Sequence, residues 1–256
     1  MRAPLDIEAI RARASYARID YTEETGSTNA DLVRAAGEGA PAWTAAVTEY
    51  QSAGRGRHGR VWTAPKHSQV TLSILIRPPA SAVDKLGTMP LITGLALIDA
   101  LGPDYPVALK WPNDVLLGGR KLCGILAEAA SLGPSPAIVI GLGLNASLTE
   151  EELPVPHAIS LEMYSGQPVD RTELVIKVLD SLKSRLGQWM NDTAGLMDDY
   201  RAVCSSIGQE VRVILPGDNE LLGTCVGVAD TGLLRVSSGG QIHELAAGDV
   251  THLRLQ

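Results

Sequence analysis

Two spacings of apolar residues alternate along the first four-fifths of the chain. Period-two alternation predicts strands. QVTLSILI (69–76) is the strongest, with Val70, Leu72, Ile74 and Ile76 on one face. WTAAVTEY (43–50) reads as another strand, running into a glycine-rich stretch. VALKW (107–111), VLL (115–117) and KLCGILAEA (121–129) read as successive strands of a meander, separated by PND (112–114) and GGR (118–120). AIVIGLGLN (137–145) is a continuous apolar run that reads as a buried strand ending in glycines. Helical spacing fills the intervals. DIEAIRARA (6–14) predicts a short helix, and TGSTNADLVRAAGEG (25–39) one that starts at Ser27 or Thr28 and stops at Gly37. TMPLITGLALIDAL (88–101) predicts an apolar helix with a proline in its first turn. DRTELVIKVLDSLKSRLGQWM (170–190) predicts a helix capped by Asp170, with Glu173 three positions on. A further helix is expected to run to about Cys204.

Beyond residue 208 the pattern changes. QEVRVIL (209–215), ELLGTCVGV (220–228), GLLRVS (232–237) and QIHELAAG (241–248) are short strand-like runs with closely spaced turns. That is the signature of a small β-barrel. The expected organisation is an α/β (α+β) domain over residues 1–204 and a small all-β domain over residues 205–256, with no internal repeat. A chain of 256 residues accommodates both.

Composition narrows the class. Hydrophobic residues make up 45%, enough for a real core, and the absence of phenylalanine leaves that core to Leu, Val, Ile and Ala. A formal net charge of −7 disfavours a general nucleic-acid binder, whose footprint is basic. Cys123, Cys204 and Cys225 form no CxxC pair, which argues against a disulfide framework or a zinc site and for reduced thiols in a cytoplasmic protein. The N-terminus lacks a signal-peptide h-region, and no apolar run approaches about 20 residues, so no membrane span is expected.

Against that acidic background, GRGRHGR (54–60) concentrates three arginines and three glycines. Glycine permits close backbone approach, and guanidinium forks suit phosphates or carboxylates, so the stretch is a candidate anion site. A solvated loop or an Arg-Gly nucleic-acid segment are the competing readings. It is not a Walker A motif. In KWPNDV (110–115), Pro112 must interrupt strand pairing. Lys110 is then a candidate phosphate partner and Asp114 a candidate magnesium ligand, or the stretch is a plain turn with a local ion pair. Lys121 opens an apolar strand and either snorkels outward or enters a pocket. Gly124 in the same strand suggests close approach of a ligand or another backbone. GLGLN (141–145) is a weak signal alone, since Gly-x-Gly often marks nothing more than a tight bend, and Asn145 could read an adenine-like edge or cap the next turn. TGSTN (25–29) could cap a helix or bind a small polar ligand. Neither a Rossmann fingerprint, a metalloprotease HExxH nor a G-x-S-x-G elbow occurs. These residues point to a nucleotide-using enzyme built on a mixed sheet.

Five stretches in this order, TGSTN, EYQSAGRGRHGRVW (49–62), KWPNDV, KLCGIL (121–126) and GLGLN, resemble the biotin protein ligases, and IGQEVRV and AGDVTHLR resemble that family's C-terminal barrel. The resemblance covers nearly the whole chain. It implies a class II aminoacyl-tRNA synthetase-like mixed sheet with flanking helices, plus an SH3-like C-terminal domain. It implies an ATP-dependent, AMP-forming ligase with ATP and Mg²⁺ as substrate and activator and biotin as substrate. Biotin would be activated to biotinyl-5′-AMP and transferred to a lysine of a biotin carboxyl carrier domain of acyl-CoA carboxylases. Ser27, Thr28, Asn29, Gln51, Gly54, Gly56 and Gly124 would belong to the biotin subsite. Arg55 and Arg57 would clamp carboxylate and phosphate, and Lys121 would hold the reacting oxygens. Trp62, Lys110, Asn113 and Asn145 would serve the nucleotide, with Asp114 as metal ligand. His58 stands where the family commonly has arginine. The 24 residues before TGSTN are too few for a three-helix DNA-binding unit, so the resemblance implies a monofunctional ligase, monomer or homodimer, with no DNA and no membrane partner. A lipoate or octanoate ligase of the same superfamily and a non-catalytic biotin or nucleotide sensor are the alternatives.

Overall fold

Period-two alternation produces two sheets in the computed structural model, which describes residues 2–191, 194–215 and 219–253. The chain opens with α1 (Ile7–Arg13), capped by the Asp6 carboxylate accepting from Ala9 N. β1 (Arg18–Thr25) leads into α2 (Thr28–Gly37), whose N-cap is Ser27. β2 (Thr44–Gln51) and β3 (Gln69–Ile76) flank the glycine-arginine stretch. A 3₁₀ segment, Ala80–Thr88, enters α3 (Met89–Leu101), with Pro90 in its first turn. β4 (Val107–Lys110), β5 (Asp114–Leu117) and β6 (Arg120–Ser131) form the expected meander, and β7 (Ala137–Asn145), the expected buried strand, pairs antiparallel with β6. α4 (Leu161–Ser165), α5 (Arg171–Met190) and α6 (Leu196–Val203) follow. Asp170 caps α5 by accepting from Glu173 N at 3.1 Å.

The seven-stranded sheet has the order β1-β2-β3-β7-β6-β5-β4 and is mixed: β1 runs parallel to β2 and every other pair is antiparallel. β1 was not anticipated. Its sequence, RIDYTEET, carries four charges, and most of its residues are exposed or half-buried at the sheet edge, so no clean alternation marks it.

The sheet's two faces differ, and the difference positions the site. Successive side chains of a strand point to opposite faces. On one face, Val70, Leu72, Ile74 and Ile76 of β3 and Ile138, Ile140, Leu142 and Leu144 of β7 join α3 and α5 in the main core. α5 supplies Val175, Leu179, Leu182, Leu186 and Trp189 at helical spacing. On the other face, Leu75 and Val139, direct cross-strand partners, pack under α2 with Leu32, Ala36, Ala46 and Ala137. Toward the opposite end of the same face the pairs become Ser73 with Gly141, Thr71 with Gly143, and Gln69 with Asn145. Side-chain volume falls away there, and the sheet floor opens.

Contrary to the expectation that no apolar run is long enough, Ala80–Leu101 could cross a membrane by length and composition alone. Met89, Leu91, Ile92, Leu95, Ala96 and Leu97 are all buried in the main core, which accounts for its apolar character.

The second sheet comprises β8 (Glu210–Ile214), β9 (Glu220–Val228), β10 (Leu234–Ser238), β11 (Gln241–Leu245) and β12 (Asp249–His252), ordered β11-β10-β9-β8-β12 and fully antiparallel. The expected small β unit is present. β12 is four residues long and too short to show periodicity. Arg254, the last residue of the AGDVTHLR stretch, lies outside the described residues. Val211, Val213, Cys225, Val236 and Val250 belong to the same hydrophobic cluster as the large sheet. The junction is further tied by Trp111 Nε1 donating to Gly232 O at 2.9 Å and Ser205 N donating to Leu109 O at 2.7 Å. All three cysteines are free and buried. Burial pushes the Cys123 thiol well up and the Cys225 thiol up to about 11, which keeps both neutral.

Candidate active site

A cavity of about 1340 Å³ lies over the opened floor of the large sheet, bounded by the glycine-arginine loop, the β4–β5 turn and β12 of the second sheet. It is larger than the few hundred to about 1,000 Å³ of an ordinary small-molecule pocket. Its lining includes Arg55, Arg57, Arg60, Lys110 and Lys121 against Asp114, Glu210 and Asp249, five basic side chains to three acidic ones. An anion is favoured there despite the acidic chain.

One end is polar and largely buried. Ser27, Thr28 and Asn29, at the start of α2, are 7%, 3% and 5% exposed. Ser27 caps the helix, so capping and cavity lining are both true of this stretch. Gln51 Oε1 accepts from Thr28 N at 2.8 Å and from Thr28 Oγ1 at 3.1 Å. Ser73 Oγ lies 2.7 Å from Thr28 Oγ1 and donates to Asn29 Oδ1 at 2.6 Å. Asn29 Nδ2 donates to Leu126 O at 3.3 Å and to Glu128 Oε2 at 2.6 Å.

The glycine-arginine loop folds as a compact turn. Trp62 N donates to Gly54 O at 2.9 Å, Gly56 N donates to Arg60 O at 2.7 Å, and residues 57–59 make a 3₁₀ turn with His58 at φ 54°. Gly54 does not line the cavity. It is buried, and a Cβ there would stand 2.4 Å from Trp62 O, so its role is to close the turn. Gly56, Arg55 and Arg57 do line the cavity. Arg55 Nη2 is 3.6 Å from Glu128 Oε1. Arg57 donates to Asn113 Oδ1 at 3.2 Å and to Gly248 O at 3.4 Å, and Arg60 pairs with Asp249. The second sheet therefore grips the loop through two arginines. Burial pulls the Arg57 guanidinium below its usual value, but arginine stays charged.

Trp62 lies flat against the floor. A Cβ on Gly143 would come 2.2 Å from Trp62 Nε1, and one on Gly124 3.0 Å from its Cζ3. A Cβ on Gly141 would come 2.0 Å from Asn29 Oδ1. The glycines of GLGLN do not mark a bend, because they sit inside β7 as seats for two side chains. Gly124 lines the cavity, and its missing Cβ makes room for the Trp62 indole. Trp62 Nε1 donates to Gln69 Oε1 at 3.1 Å, Gln69 Nε2 donates to Asn145 Oδ1 at 2.7 Å, and Asn145 Nδ2 donates to Ile159 O at 2.9 Å. Asn145 is 1% exposed and absent from the cavity wall, so the structure gives it the bracing of Trp62 through Gln69 instead of direct contact with a nucleotide.

The β4–β5 turn carries the remaining group. Pro112 follows a cis Trp111–Pro112 bond and interrupts pairing as expected. Asn113 is fixed to β6 by its Nδ2 donating to Ile125 O at 2.8 Å while its Oδ1 receives Arg57. Lys121 does not snorkel: its Nζ is 2.6 Å from Asp114 Oδ1 and 5.6 Å from the centre of the Trp62 ring. Lys110 is half-buried, and burial lowers its pKa, partly offset by Asp114. His252 is pushed down, first by burial and then by Lys110, which favours neutral imidazole 3.0 Å from Ser206 Oγ.

The sequence did not flag Ser73, Glu128, Gly248 or Asp249. Ser73 and Glu128 occupy ordinary alternating positions of β3 and β6, and their contacts depend on register across strands.

Among the described residues no group of three or more His, Cys, Asp or Glu side chains could cage a metal ion. Asp114 and Asp249 beside an anion site match the other mode of magnesium binding, one or two carboxylates plus substrate phosphates.

Residues 25–145 match the model of the biotin/lipoate A/B protein ligase family, and residues 206–253 match that of the biotin protein ligase C-terminal domain. The chain is 40% identical to a biotin–[acetyl-CoA-carboxylase] ligase of Mycobacterium tuberculosis, over 99% of this chain and 98% of the relative. It is 31% identical to the bifunctional ligase/repressor BirA of Salmonella typhimurium, over 96% of this chain and 78% of the relative. Its structure resembles that of the biotin protein ligase from Aquifex aeolicus in complex with biotin and ATP, with a TM-score of 0.79 and 26% identity, covering 94% of this chain and all of that one.

Proposed function

The chain belongs to the biotin protein ligases, and we infer that its cavity joins biotin to ATP and then to a protein lysine. The observation that carries this reading is the juxtaposition in one cavity of the buried polar end at Thr28, Asn29 and Gln51 with the cluster of Arg57, Lys110 and Lys121. A neutral heterocycle fits the first and polyphosphate the second.

In the first step a carboxylate oxygen of biotin attacks the α-phosphorus of ATP. The bond from that phosphorus to the bridging oxygen breaks, and pyrophosphate leaves. Two anions must meet, so the step is slow unless fixed cations offset the charge. Lys121 and Arg57 do this at the reacting oxygens, and Lys110 does it at the leaving phosphates. Mg²⁺ held by Asp114 and the phosphates would add charge neutralisation. Trp62 supplies a flat face for the adenine. In the second step a lysine amine of a biotin carboxyl carrier domain attacks the acyl carbon of biotinyl-5′-AMP. The acyl–oxygen bond breaks, AMP leaves, and the nitrogen loses a proton. Between the steps the loop over residues 54–60 screens the mixed anhydride from water.

The test is biotin-dependent ATP–pyrophosphate exchange, followed by transfer of labelled biotin to a carrier domain. Exchange with biotin but not lipoate, and amide formation on the carrier lysine, are the expected results. Exchange with lipoate alone would move the chain to the lipoate side of the family. Exchange without transfer would leave a ligand-binding sensor.

A further inference from the structure

Glu128 has no place in the chemistry above, yet its carboxylate touches both sides of the polar end of the cavity. It sits on β6, on the same face as Leu126 and Gly124, with a side chain 30% exposed. One oxygen accepts from Asn29 Nδ2 at 2.6 Å, and the other is 3.6 Å from Arg55 Nη2.

Following the hydrogens from Glu128 inward gives the chain a direction. Asn29 Nδ2 faces two acceptors, Glu128 Oε2 and Leu126 O, which fixes its amide orientation. Asn29 Oδ1 can only accept, so Ser73 Oγ donates its single hydrogen there. Ser73 then has nothing left to give Thr28, and Gln51 Oε1 is also an acceptor. The one hydroxyl hydrogen of Thr28 is therefore held between Ser73 Oγ at 2.7 Å and Gln51 Oε1 at 3.1 Å. What Thr28 presents to the cavity is lone-pair density. Gly141 keeps the arrangement open, because a Cβ there would stand 2.0 Å from Asn29 Oδ1 and 3.0 Å from Ser73 Oγ.

We propose that Glu128 is a positioning residue for biotin recognition, orienting Asn29, Ser73 and Thr28 so that Thr28 Oγ1 meets the ligand only as an acceptor of an N–H bond. The negative charge at one end polarises every donor in the series toward itself, which sharpens the acceptor at the other end. The device selects a ring that offers N–H at that point and rejects one that offers only a carbonyl or a sulfur. This proposal rests on the ligase reading.

The experiment measures KM for biotin, KM for ATP, kcat of pyrophosphate exchange and melting temperature for Glu128→Gln and Ser73→Ala. Glu128→Gln also loosens Arg55, whereas Ser73→Ala cuts the series on the far side of Asn29 and leaves that contact whole. Both are expected to raise KM for biotin about tenfold, the scale of one charge-assisted hydrogen bond. KM for ATP should be unchanged, and the melting temperature of Ser73→Ala should fall by no more than the loss of one buried hydrogen bond, about 1–3 kcal/mol, accounts for. In a Thr28→Val background the effect of Glu128→Gln on KM for biotin should vanish, because the acceptor it orients is gone. A biotin KM within twofold of the parent in either folded variant overturns the proposal. So does a parallel rise in KM for ATP, or full additivity with Thr28→Val. Absence of biotin-dependent exchange in the parent protein would instead remove the ligase reading on which it rests.

Discussion

Lys121 Nζ stands 2.6 Å from Asp114 Oδ1, across the antiparallel pairing of β5 and β6. The carboxylate holds the ammonium over the Trp62 ring, 5.6 Å from its centre, and so aims a fixed cation into the cavity. A cation that needs no reorganisation is what the approach of two anions requires. Lys121→Ala is expected to lower the rate of adenylate formation by about 10²–10³-fold, the scale of losing one preorganised charge-stabilising donor. Single-turnover formation of biotinyl-5′-AMP measures it, and an unchanged rate would remove Lys121 from the chemistry.

Gly143 is where a single methyl group should be most damaging. Its Cβ would lie within 2.2 Å of Trp62 Nε1, so the indole would have to leave the floor and lose its bond to Gln69 Oε1. Gly143→Ala is expected to raise KM for ATP roughly tenfold, in line with the ~1–3 kcal/mol carried by one base–aromatic stack. A shift in tryptophan emission should accompany it. A normal KM for ATP together with a shifted emission would show that the indole moves and that adenine does not stack on it.

Much of the fold was legible because its signals are local. β3, the β4–β6 meander, β7, α3, α5 and the change of character near residue 208 follow from spacing, turn residues and caps. β1 and β12 were missed, one because its charges obscure alternation at a sheet edge, the other because four residues show no period. Residues such as Lys121 and Asp114 were legible because polar groups beside buried strands stand out. Asn145 shows the limit. Its type suited a ligand, but the register pairs it with Gln69 inside the sheet, and its amide is committed to Gln69 and Ile159. Glu128 shows the converse, since only the alignment of β6 with β7 and α2 brings it to Asn29.

Asp249 links the second sheet to the loop through Arg60, whose side chain is 64% exposed. An exposed pair contributes little to stability, about 0–1 kcal/mol. Its expected role is instead to hold the loop over the reactive anhydride. Asp249→Asn should leave the melting temperature nearly unchanged and raise the release or hydrolysis of biotinyl-5′-AMP a few-fold, roughly the effect of one weakened exposed ion pair. Adenylate retention on a desalting column without carrier domain checks this.

Burial lowers the pKa of Lys110 more than Asp114 raises it. The sign follows directly. Deprotonation removes positive charge, so binding of ATP phosphates should weaken as pH rises through the lowered pKa. The alkaline limb of kcat/KM for ATP is expected below the ordinary lysine range, because that parameter reports the free enzyme. In the complex the phosphates favour the ammonium, so the limb in kcat should lie higher. Lys110→Arg should abolish the limb, since a guanidinium stays charged. A limb that persists in Lys110→Arg would assign it to another group.

Glu49 opens the EYQSAGRGRHGRVW stretch, but the structure makes it part of the framework. Its carboxylate is fully buried, with Oε2 accepting from Arg171 Nη1 at 2.7 Å and Oε1 accepting from Leu5 N at 2.6 Å. His67 Nδ1 lies 3.1 Å from Oε2. Arg171 also donates to Gln69 O at 3.0 Å and Ala3 O at 2.6 Å, so the pair ties the N-terminal segment, β2, β3 and α5 together. Removing one partner leaves the other charged and buried, at about 3–5 kcal/mol. Glu49→Ala should therefore lower the melting temperature by about 6–20 °C, at roughly 2–4 °C per kcal/mol for a chain near this size. Replacing both partners, Glu49→Leu with Arg171→Met, should cost much less than the two single changes combined, because no orphan charge remains. Well below the transition the single variant should still form adenylate with near-normal KM values, since neither group faces the cavity. A melting temperature within about 2 °C of the parent for Glu49→Ala, less than a 1 kcal/mol effect, would show that water reaches the pair and that it does not fasten the four segments.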